Sequence, residues 1–573
     1  MWQQSRRRSI LIEGERRSSV SMAQNRLSML AVTFVIGYLL IAVRLLDLSV
    51  VQGLAVERLV EKNNVVEQIA KRRGDVYDRN GFLLATTLKV PSLFVDPSFV
   101  LNADDLAESV LTVIPELEQD EVARVMAADN RFGWIKHGIT PEQQQKILGI
   151  GSPALGFQYE YKRVYPQGSL FAHMVGYTDR DGLGLAGIER GFDDVLAKGD
   201  DVHLSFDLRL QHVMRREVSR AITEFEAKAG TGIIMDVHTG EVLSAVSLPD
   251  FDLNAVPKAS DNEKFNRLTL GVYELGSMFK IFSTAALLDL TDARLSNTFD
   301  ARKPIKAGWH TINDYHAQKR ILTVPEVFMH SSNIGSALMG REIGGKALRS
   351  FYQDLGLLDP LMFDVKEVGR PLLPDPWREV NTLTAAYGHG LATTPMQMSA
   401  AVASVVNGGI LVRPDVAKYS KDAHALRNEV RVISEETSQD MRKMLRLVVT
   451  QGTGKNADVR GYSVGGKTGT AEKSVNGRYH RDRLISSFVG AFPMEKPRYV
   501  VMVMVDEPKG QKHSYGYATA GWVAAPAVAR VVTSMASILG MPADLYDPDK
   551  DISHDLLGYI HDPKKGGKRL VSY

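Results

Sequence analysis

A serine and a lysine three residues apart are the first candidates for chemistry in this sequence. They are Ser277 and Lys280, and an apolar run at 281–290 follows them. Residues three apart share a helix face, so the hydroxyl and the amine should come within hydrogen-bonding range. A lysine whose pKa is lowered by burial can accept the serine proton and so activate the serine as a nucleophile. A helix start would also place backbone N–H groups near a developing oxyanion.

A second polar segment comes about fifty residues later. Ser331, Ser332 and Asn333 follow Thr323 and Glu326, whose spacing is that of a capping box and predicts the start of a short helix. The triplet would lie where that helix breaks. A hydroxyl and an amide projecting together can relay a proton and hold a peptide group of a substrate.

The third segment, 465–470, reads Gly-Gly-Lys-Thr-Gly-Thr. Gly469 has no side chain and lets another backbone approach closely, so an edge strand here could accept an extended peptide by strand addition. Lys467 supplies positive charge, while Thr468 and Thr470 supply hydroxyls suited to a carboxylate. The segment therefore predicts a binding edge for an anionic peptide end.

The same region also completes a phosphate-loop pattern, Gly-x-x-x-x-Gly-Lys-Thr, from Gly461 to Thr468. A true phosphate loop opens a helix, whereas residues 471–477 have no apolar helical stripe and end in the hairpin signal Asn-Gly. Taken singly, each of the three segments also has a plain structural interpretation, as a chance match, a polar helix junction or a glycine-rich turn. Their occurrence in this order along one chain favours an active site.

The surrounding pattern predicts a mixed domain. A hairpin over 232–247 is rich in β-branched residues, and further strand candidates lie at 484–492 and 499–505, beyond a long helical middle. Strands at both ends with helices between them predict an α/β or α+β domain whose sheet is closed by distant segments. Upstream, Asn80-Gly81 predicts a hairpin with a type I′ turn, and residues 102–150 are more helical in pattern.

The first fifty residues predict a membrane anchor. Six arginines precede the uncharged run 27–43, and adding Leu45 and Leu46 while Arg44 snorkels brings it to 20 residues. That length nearly spans about 30 Å of hydrocarbon. The arginine excess predicts a cytoplasmic tail and an exported remainder. A cleaved signal peptide is the alternative, but no small-x-small cleavage site follows Val43.

Composition limits the remaining classes. The chain has 573 residues, 44% hydrophobic and 24% charged, which predicts two to four folded domains. Lys+Arg 69 against Asp+Glu 67 is too balanced to indicate a nucleic-acid partner. The absence of cysteine excludes a disulfide framework, a Cys-ligated metal and a cysteine nucleophile.

Together, Ser-x-x-Lys, Ser-x-Asn and Lys-Thr-Gly resemble the signature set of serine acyltransferases that recognise penicillin. Residues 73–81 and 163–189 resemble motifs of the non-catalytic pedestal of class B penicillin-binding proteins, and 387–397 and 487–493 resemble segments of their transpeptidase domain. Asn333 is similar to the cell-division (FtsI-type) branch, since elongation enzymes usually carry aspartate there. The resemblance implies a septal peptidoglycan D,D-transpeptidase of a Gram-negative-like bacterium.

The resemblance also implies a domain plan and a set of site residues. The expected plan is a cytoplasmic tail (1–26), a transmembrane helix (27–46), a β-rich pedestal (47–205), a transpeptidase domain (206–545) with the serine transpeptidase/β-lactamase-like fold, and a C-terminal tail (546–573). The site residues share one acyl-transfer cycle: Ser277, Lys280, Ser331, Asn333 and Lys467 as catalytic groups, and Thr468, Gly469 and Thr470 as substrate-binding groups.

In the mechanism that the resemblance implies, Ser277 attacks the carbonyl between two D-alanines of a stem peptide, with Lys280 as base. Ser331 relays a proton to the leaving D-alanine, Asn333 orients the substrate and Lys467 polarises the site. An amine from a neighbouring stem then takes the acyl group, which makes the cross-link. β-Lactams should acylate the same serine.

For the substrate carboxylate, the resemblance implies contacts with Thr468 and Thr470, and an oxyanion hole formed by the backbone N–H groups of Ser277 and Thr470. It implies no metal and no organic cofactor. The expected partners are stem peptides, β-lactams, the septal lipid-linked glycan polymerase (SEDS family) and other division proteins. The expected location is the inner membrane at the septum, with a single pass and the catalytic domain in the periplasm.

Four alternatives remain from the sequence. A β-lactamase needs neither an anchor nor a pedestal, and a D,D-carboxypeptidase would transfer the same acyl group to water. A β-lactam sensor should carry a folded cytoplasmic domain, for which about 26 residues are too few. A division scaffold with little turnover is the alternative from a different functional class, and that role can coexist with catalysis.

Overall fold

The computed structural model describes residues 16–46, 72–308, 310–418, 430–475, 478–543 and 547–561. The chain divides into two compact units, 1–71 and 72–573, and each is considered by itself. The predicted stalk after the anchor lies almost entirely in 47–71, outside the described residues. The Lys/Gly-rich end at 564–569 also lies outside them.

The first unit contains a 31-residue helix, α1 (Arg16–Leu46). Among the described residues, it is the one helix long and apolar enough to cross a membrane, over Asn25–Arg44. None of that stretch is buried inside the structure. The predicted anchor at 27–46 therefore falls on a helix whose length and composition suit a membrane span.

The second unit begins with a five-stranded sheet. Its strands are β1 (Val76–Tyr77), β2 (Leu83–Val95), β3 (Gly133–Lys136), β4 (Leu155–Val164) and β5 (Val202–His203). The strand order is β3-β2-β1-β5, with β4 paired along the length of β2. This region is β-rich, as the sequence predicts.

The predicted hairpin at Asn80-Gly81 exists, but its turn is not type I′. Gly81 has φ +87°, whereas Asn80 keeps a negative φ. The carboxylate of Asp78 accepts hydrogen bonds from the backbone N–H groups of Asn80 (2.7 Å) and Phe82 (2.8 Å). An aspartate side chain thus organises a longer turn in place of a second left-handed residue.

Helices surround this sheet on the pedestal side, at α2 (Ala103–Val113), α3 (Gln119–Met126), α4 (Pro141–Ile150), α5 (Ala172–Val175), α6 (Gly187–Gly191) and α7 (Asp193–Leu196). The first three bury a small core of their own around Val110, Met126 and Ile147. Val76 and Ile188 instead belong to the main core of the catalytic region. The hydrophobic core therefore runs without a break across the predicted boundary at 205/206.

The catalytic region has a second five-stranded sheet and two small two-stranded sheets. Its strands are β6 (Ala229–Asp236), β7 (Val242–Leu248), β8 (Thr298–Asp300), β9 (Ile305–Ala307), β10 (His310–Ile312), β11 (Ile321–Thr323), β12 (Gly465–Val475), β13 (Arg478–Phe492) and β14 (Tyr499–Asp506). The large sheet has the order β12-β13-β14-β6-β7 and is antiparallel throughout. The early hairpin thus pairs with strands from the far end of the chain, as predicted, and β12 lies at the edge.

Helices cover both faces of that sheet. They are α8 (Leu208–Glu224), α9 (Asp261–Lys264), α10 (Lys280–Leu290), α11 (Val324–Met329), α12 (Asn333–Ile343), α13 (Gly345–Asp354), α14 (Glu379–Ala385), α15 (Pro395–Val406), α16 (Glu435–Thr450) and α17 (Ala524–Ile538). Alternate residues of β14 enter different cores: Val500 and Met502 face the core with α10, α15 and α16, whereas Val501 and Val503 face the core with α8 and α17. Because successive side chains of a strand point to opposite faces of the sheet, β14 contributes to the hydrophobic core on each side of it.

The C-terminal segment corrects the predicted tail at 546–573. Its described part, 547–561, packs against the catalytic region, with Leu556 fully buried. Asp551 accepts a 2.7 Å hydrogen bond from buried Arg446 on α16, and the His561 N–H donates to Glu326 at 2.7 Å. Apolar residues in 547–561 pack against the catalytic region. The Lys/Gly-rich composition of 564–569 is therefore not a guide to the whole of 546–573.

Candidate active site

The nucleophile candidate lies in a single 3-10 turn directly before α10. This turn spans Gly276–Phe279, so Ser277 lies three residues before the first residue of the helix and remains partly exposed. Gly276 has φ +54°, and a Cβ there would lie 3.1 Å from the carbonyl oxygen of Thr470. A Cβ at Gly469 would lie 2.5 Å from the carbonyl oxygen of Leu275. Glycines on both sides thus allow the turn and β12 to approach closely.

Lys280 is fully buried and its ammonium group has three acceptors. Its Nζ donates to the Ser331 carbonyl (2.6 Å), to Ser331 Oγ (3.0 Å) and to Asn333 Oδ1 (2.7 Å). Burial holds the pKa of Lys280 well below its usual range, and the positive charge of Lys467 lowers it further, against a smaller opposing effect of Asp314. Lys280 therefore gives up its proton more readily than an ordinary lysine, and the amine that results is a base.

The expected hydrogen bond between Ser277 and Lys280 is absent among the described residues. An ammonium has three donors, and the second polar segment accepts all three here. Spacing along one helix face does not include acceptors that lie fifty residues away. The two groups are three residues apart in the chain, Ser277 in the turn and Lys280 at the first residue of α10.

Ser331 lies between two lysines. Its Oγ accepts from Lys280 Nζ at 3.0 Å and from Lys467 Nζ at 2.9 Å. The backbone of Ser331 is left-handed, with φ +57°, a strained conformation for a residue with a side chain. The predicted capping box of Thr323 and Glu326 is present at the start of α11, so the strained residue follows the end of that short helix.

Asn333 begins α12 and its amide is fixed at both ends. Its Oδ1 accepts from Lys280, and its Nδ2 donates to the Asn313 carbonyl at 2.9 Å. Ser332, between the two candidate residues, caps α12 and donates to Asp314 at 2.7 Å. No motif in the sequence indicates Asn313 or Asp314, because they belong to a separate segment whose approach to the triplet no spacing rule predicts.

Lys467 on β12 is the second fully buried lysine of the site. Its Nζ donates to Ser331 Oγ and to the Thr468 carbonyl at 3.2 Å. Burial lowers the pKa of Lys467 to about 7. Residues after Gly466 continue as a strand, so the helix that a phosphate loop requires is not present and that interpretation is wrong.

The hydroxyls of β12 have partners outside the predicted motifs. Thr468 Oγ1 lies 2.7 Å from Thr453 Oγ1, and Thr470 Oγ1 accepts the Ala520 N–H at 3.1 Å. Thr470 therefore keeps its own O–H for a ligand. Thr453 is a further site residue that no motif in the sequence indicates, since it carries no recognisable spacing.

The site combines two buried lysines of lowered pKa, a hydroxyl between them and a glycine-lined edge strand. No carboxylate within ion-pair distance neutralises either lysine in the described part of the chain. Clusters of three or more His, Cys, Asp or Glu suited to a metal are also absent there. The arrangement can take a proton from a serine, return it to a leaving group and hold an anionic peptide end.

Comparison with known proteins gives the same two-part organisation. The family model described as penicillin binding protein transpeptidase domain matches residues 230–531, more than half of the chain. The penicillin-binding protein dimerisation domain matches residues 68–203.

The chain belongs to the penicillin-binding transpeptidase family. It is 40% identical to a Caulobacter vibrioides protein named probable peptidoglycan D,D-transpeptidase FtsI, over 82% of each chain. It is 26% identical to peptidoglycan D,D-transpeptidase FtsI of Escherichia coli, over 84% of this chain and 86% of that one. The predicted family resemblance is thereby confirmed.

A solved member of the family has the same fold. Penicillin binding protein 3 from Mycobacterium tuberculosis, complexed with aztreonam, superposes with a TM-score of 0.65 at 25% sequence identity. The match covers 82% of this chain and 97% of that one. Penicillin-binding transpeptidases are serine acyltransferases, and the predicted fold, a transpeptidase domain beside a dimerisation-type pedestal, is confirmed.

Proposed function

We propose that this protein is a peptidoglycan D,D-transpeptidase that cross-links septal stem peptides through an acyl-enzyme on Ser277. The observation that carries the proposal is the Ser331 hydroxyl held between Lys280 and Lys467, beside the turn that bears Ser277. Names of the relatives, which include FtsI from two organisms, support the choice of substrate and of division as the process.

In the first step, Ser277 Oγ attacks the carbonyl carbon between two D-alanines and its proton passes to the neutral amine of Lys280. The oxyanion accepts hydrogen bonds from the backbone N–H groups of Ser277 and Thr470. The close contact between the turn and β12 brings these two N–H groups together. The C–N bond then breaks and the departing D-alanine takes a proton through Ser331. The enzyme is left as an ester on Ser277.

In the second step, an amine of a neighbouring stem attacks the ester and loses a proton along the same route in reverse. The new amide forms and Ser277 regains its proton. Asn333, fixed by Lys280 and Asn313, offers its amide to the peptide backbone of the donor. Lys467 keeps the electrostatic potential around Ser331 positive.

Recognition of the terminal carboxylate falls to β12. Thr468 and Thr470 present their hydroxyls on the edge strand, and Gly469 leaves space for the substrate backbone. Because the Thr470 oxygen already accepts the Ala520 N–H, its own proton is oriented away from that contact. β-Lactams carry an amide and a carboxylate at a spacing like that of the peptide substrate, and they should therefore bind to the same groups.

The proposed setting follows from the anchor. Helix α1 would cross the inner membrane once, and the arginines before it would hold the tail in the cytoplasm and place the catalytic domain in the periplasm. We retain the domain plan with a tail (1–26), helix (27–46), pedestal (47–205) and transpeptidase domain (206–545). The pedestal and the anchor would contact the septal glycan polymerase of the SEDS family and other division proteins.

The decisive test is intact mass spectrometry of the full chain in detergent after incubation with penicillin, followed by peptide mapping. We expect one stable adduct on Ser277. Ser277→Ala should abolish the adduct while the thermal unfolding midpoint stays unchanged, and Ser296→Ala, at an exposed serine, should label normally. Persistent labelling of the Ser277 variant would refute the nucleophile, and rapid drug hydrolysis would indicate a β-lactamase.

A further inference from the structure

A cavity of about 660 Å³ lies where three helices of the catalytic region meet. Its cationic lining residues come from α12, from α13 and from the position before α14: they are Arg341, Lys346, Arg349 and Arg378. Among the described residues that line it, Glu379 is the one acidic residue. We call this cavity the cationic groove. Its lining therefore carries a large excess of positive charge.

The cationic groove is separated from the active site by most of the length of α12. Asn333, in the active site, is the first residue of that helix, and Arg341 lies in its last turn. At 1.5 Å per residue, these two positions lie about 12 Å apart along the helix axis. The mechanism proposed above uses none of the groove residues, so their role is to be sought in binding and not in acyl transfer.

The four cations of the groove have no carboxylate partner. The ion pairs within the described part of the chain involve neither these side chains nor Glu379. All four side chains are exposed, and the Arg349 guanidinium lies 5.9 Å from the centre of the Trp377 ring. Like charges that share one cavity repel each other, so their arrangement has a free-energy cost that an incoming anion would remove.

Helix stability does not explain the position of Lys346. This residue lies in the first turn of the ten-residue helix α13, which has no acidic residue in that turn and follows Gly344 without a side-chain cap. A cation at the positive end of a helix is unfavourable, whereas a carboxylate there is stabilising. The lysine therefore stands where local stability favours the opposite charge, which favours a role in binding.

The groove also contains an aromatic side chain that is held in place. Trp377 Nε1 donates to Oγ1 of buried Thr382 at 2.9 Å. A Cβ at Gly345 would lie 2.6 Å from the same oxygen, so this glycine allows α13 to approach α14 closely. The indole is half-buried and keeps this hydrogen bond only in its present orientation. Tryptophan and arginine are the residue types that most often anchor protein–protein interfaces.

The shape and the chemistry of the groove favour a peptide chain as the ligand. Guanidinium groups pair with carboxylates through two parallel hydrogen bonds. A cavity of about 660 Å³ has the size that encloses a drug-sized ligand, which is much larger than one small anion. Cations that line a cavity contact a chain that enters it, whereas a membrane presents a flat layer of headgroups. Several carboxylates on one chain therefore match the groove better than a single ion or a lipid surface.

The sequence outside the described residues offers no such ligand. In each of those segments the acidic residues exceed the basic ones by at most one, as in 47–71 with four acidic and three basic residues. The segment 562–573 has one acidic and four basic residues. Four cations need a larger excess of carboxylates, so the ligand is expected from another molecule.

We propose that the cationic groove binds an acidic segment of a partner protein. The four cations pair with carboxylates of that segment, and one of its apolar or aromatic side chains packs against Trp377. The inference goes beyond the proposed transpeptidase function, because this binding requires neither Ser277 nor a stem peptide.

The test measures binding of a fluorescein-labelled octaglutamate peptide to the full chain in detergent, by fluorescence anisotropy at low salt. Arg341→Gln combined with Arg349→Gln should weaken binding by about tenfold, since one exposed charge pair contributes up to about fivefold. The matched control is Arg131→Gln combined with Arg294→Gln, which removes two exposed arginines elsewhere and changes the net charge equally. The control should change the affinity by less than about twofold.

The position of the peptide is tested with a carbodiimide, which joins a carboxylate directly to a lysine amine. Peptide mapping by mass spectrometry after coupling of octaglutamate should give a cross-link at Lys346, the one lysine among the described residues that line the groove. The thermal unfolding midpoint of the groove double variant should not fall, because Arg341 and Arg349 have no carboxylate partner among those residues. An unchanged midpoint shows that weaker binding is not the result of unfolding.

Weaker binding confined to the groove double variant, with a cross-link at Lys346, supports the proposal. Equal losses in the two double variants, or cross-links that omit Lys346, would overturn it, since binding would then depend on overall charge. Phosphatidylglycerol vesicles or inorganic pyrophosphate that bind through Arg341 and Arg349 while octaglutamate does not would overturn it in favour of a lipid surface or a phosphate. Labelling of Ser277 by penicillin is a separate measurement, so failure of the groove and failure of the proposed function are distinguishable.

Discussion

Two regions of this molecule hold buried cations with opposite kinds of partner. At the base of the pedestal, Arg73 donates to Glu189 and to Asp193, each at 2.7 Å, and Arg163 donates to the other oxygen of Glu189 at 2.7 Å. All three interactions are charge-assisted and Glu189 is fully buried. In the active site, Lys280 and Lys467 are equally buried but have hydroxyl, amide and carbonyl acceptors.

The difference explains which cations can take part in proton transfer. A buried cation paired with carboxylates stays charged, as the raised pKa of Arg446 beside Asp458 and Asp551 illustrates. A buried lysine without such a partner loses its proton more readily, since burial penalises the charged form. The arginines paired with carboxylates therefore hold elements together, whereas the two lysines without a carboxylate partner are the groups to which the proposed function gives proton transfer and a positive potential.

The largest effect should come from giving the active site a cation that cannot deprotonate. Lys280→Arg should lower the rate of penicillin acylation by about 10³-fold, because a guanidinium keeps its proton at any ordinary pH. The measurement is the second-order acylation rate by quenched mass spectrometry. Arg73→Lys, a cation exchange in the pedestal, should leave that rate within about twofold; near-normal acylation by Lys280→Arg would contradict the assignment of Lys280 as base.

Breaking the pedestal network should act on stability instead. Glu189→Gln leaves Arg73 and Arg163 without their shared carboxylate and should lower the free energy of unfolding by about 3–5 kcal/mol. Urea unfolding followed by tryptophan fluorescence measures this, with exposed Glu118→Gln as the matched control. If the two variants were equally stable, the buried network would not be the stabilising element.

The comparison also predicts a pH dependence confined to the active site. Acylation needs a neutral Lys280, whose pKa is held well below its usual range, and a charged Lys467, whose pKa is lowered to about 7. The acylation rate should therefore rise with pH as Lys280 loses its proton and fall again as Lys467 loses its proton, from about pH 7 upward. A flat rate from acidic to neutral pH would show that no lysine of lowered pKa controls the step.

The smallest effect should come from the rim of the site. Thr453→Val removes the hydroxyl that contacts Thr468 Oγ1 and so loosens a carboxylate-binding group. One hydrogen bond is worth about 1 kcal/mol, so the apparent affinity for penicillin should weaken by roughly fivefold. The acylation rate at saturating drug should not change. A loss in that maximal rate instead would place Thr453 in the chemical step.

Local signals in the sequence were sufficient for much of the scaffold. The capping box at Thr323 and Glu326, the strand candidates at 484–492 and 499–505 and the apolar run at 27–43 all predicted elements that the structure contains. Each depends on neighbours within a few residues, where periodicity and capping operate. The Asn80-Gly81 turn was misread for the same reason, since one aspartate nearby changed its geometry.

The three motifs that contain Ser277, Ser331 and Lys467 resembled one family, and that family assignment is confirmed. The contacts of those residues required the tertiary structure. Lys280 donates to Ser331 and Asn333, some fifty residues away, and Thr453 and Ala520 approach β12 from other segments. The sequence thus defines which groups can react, because that is a property of residue type and local spacing; their partners and pKa shifts depend on burial and on segments that meet only when the chain folds.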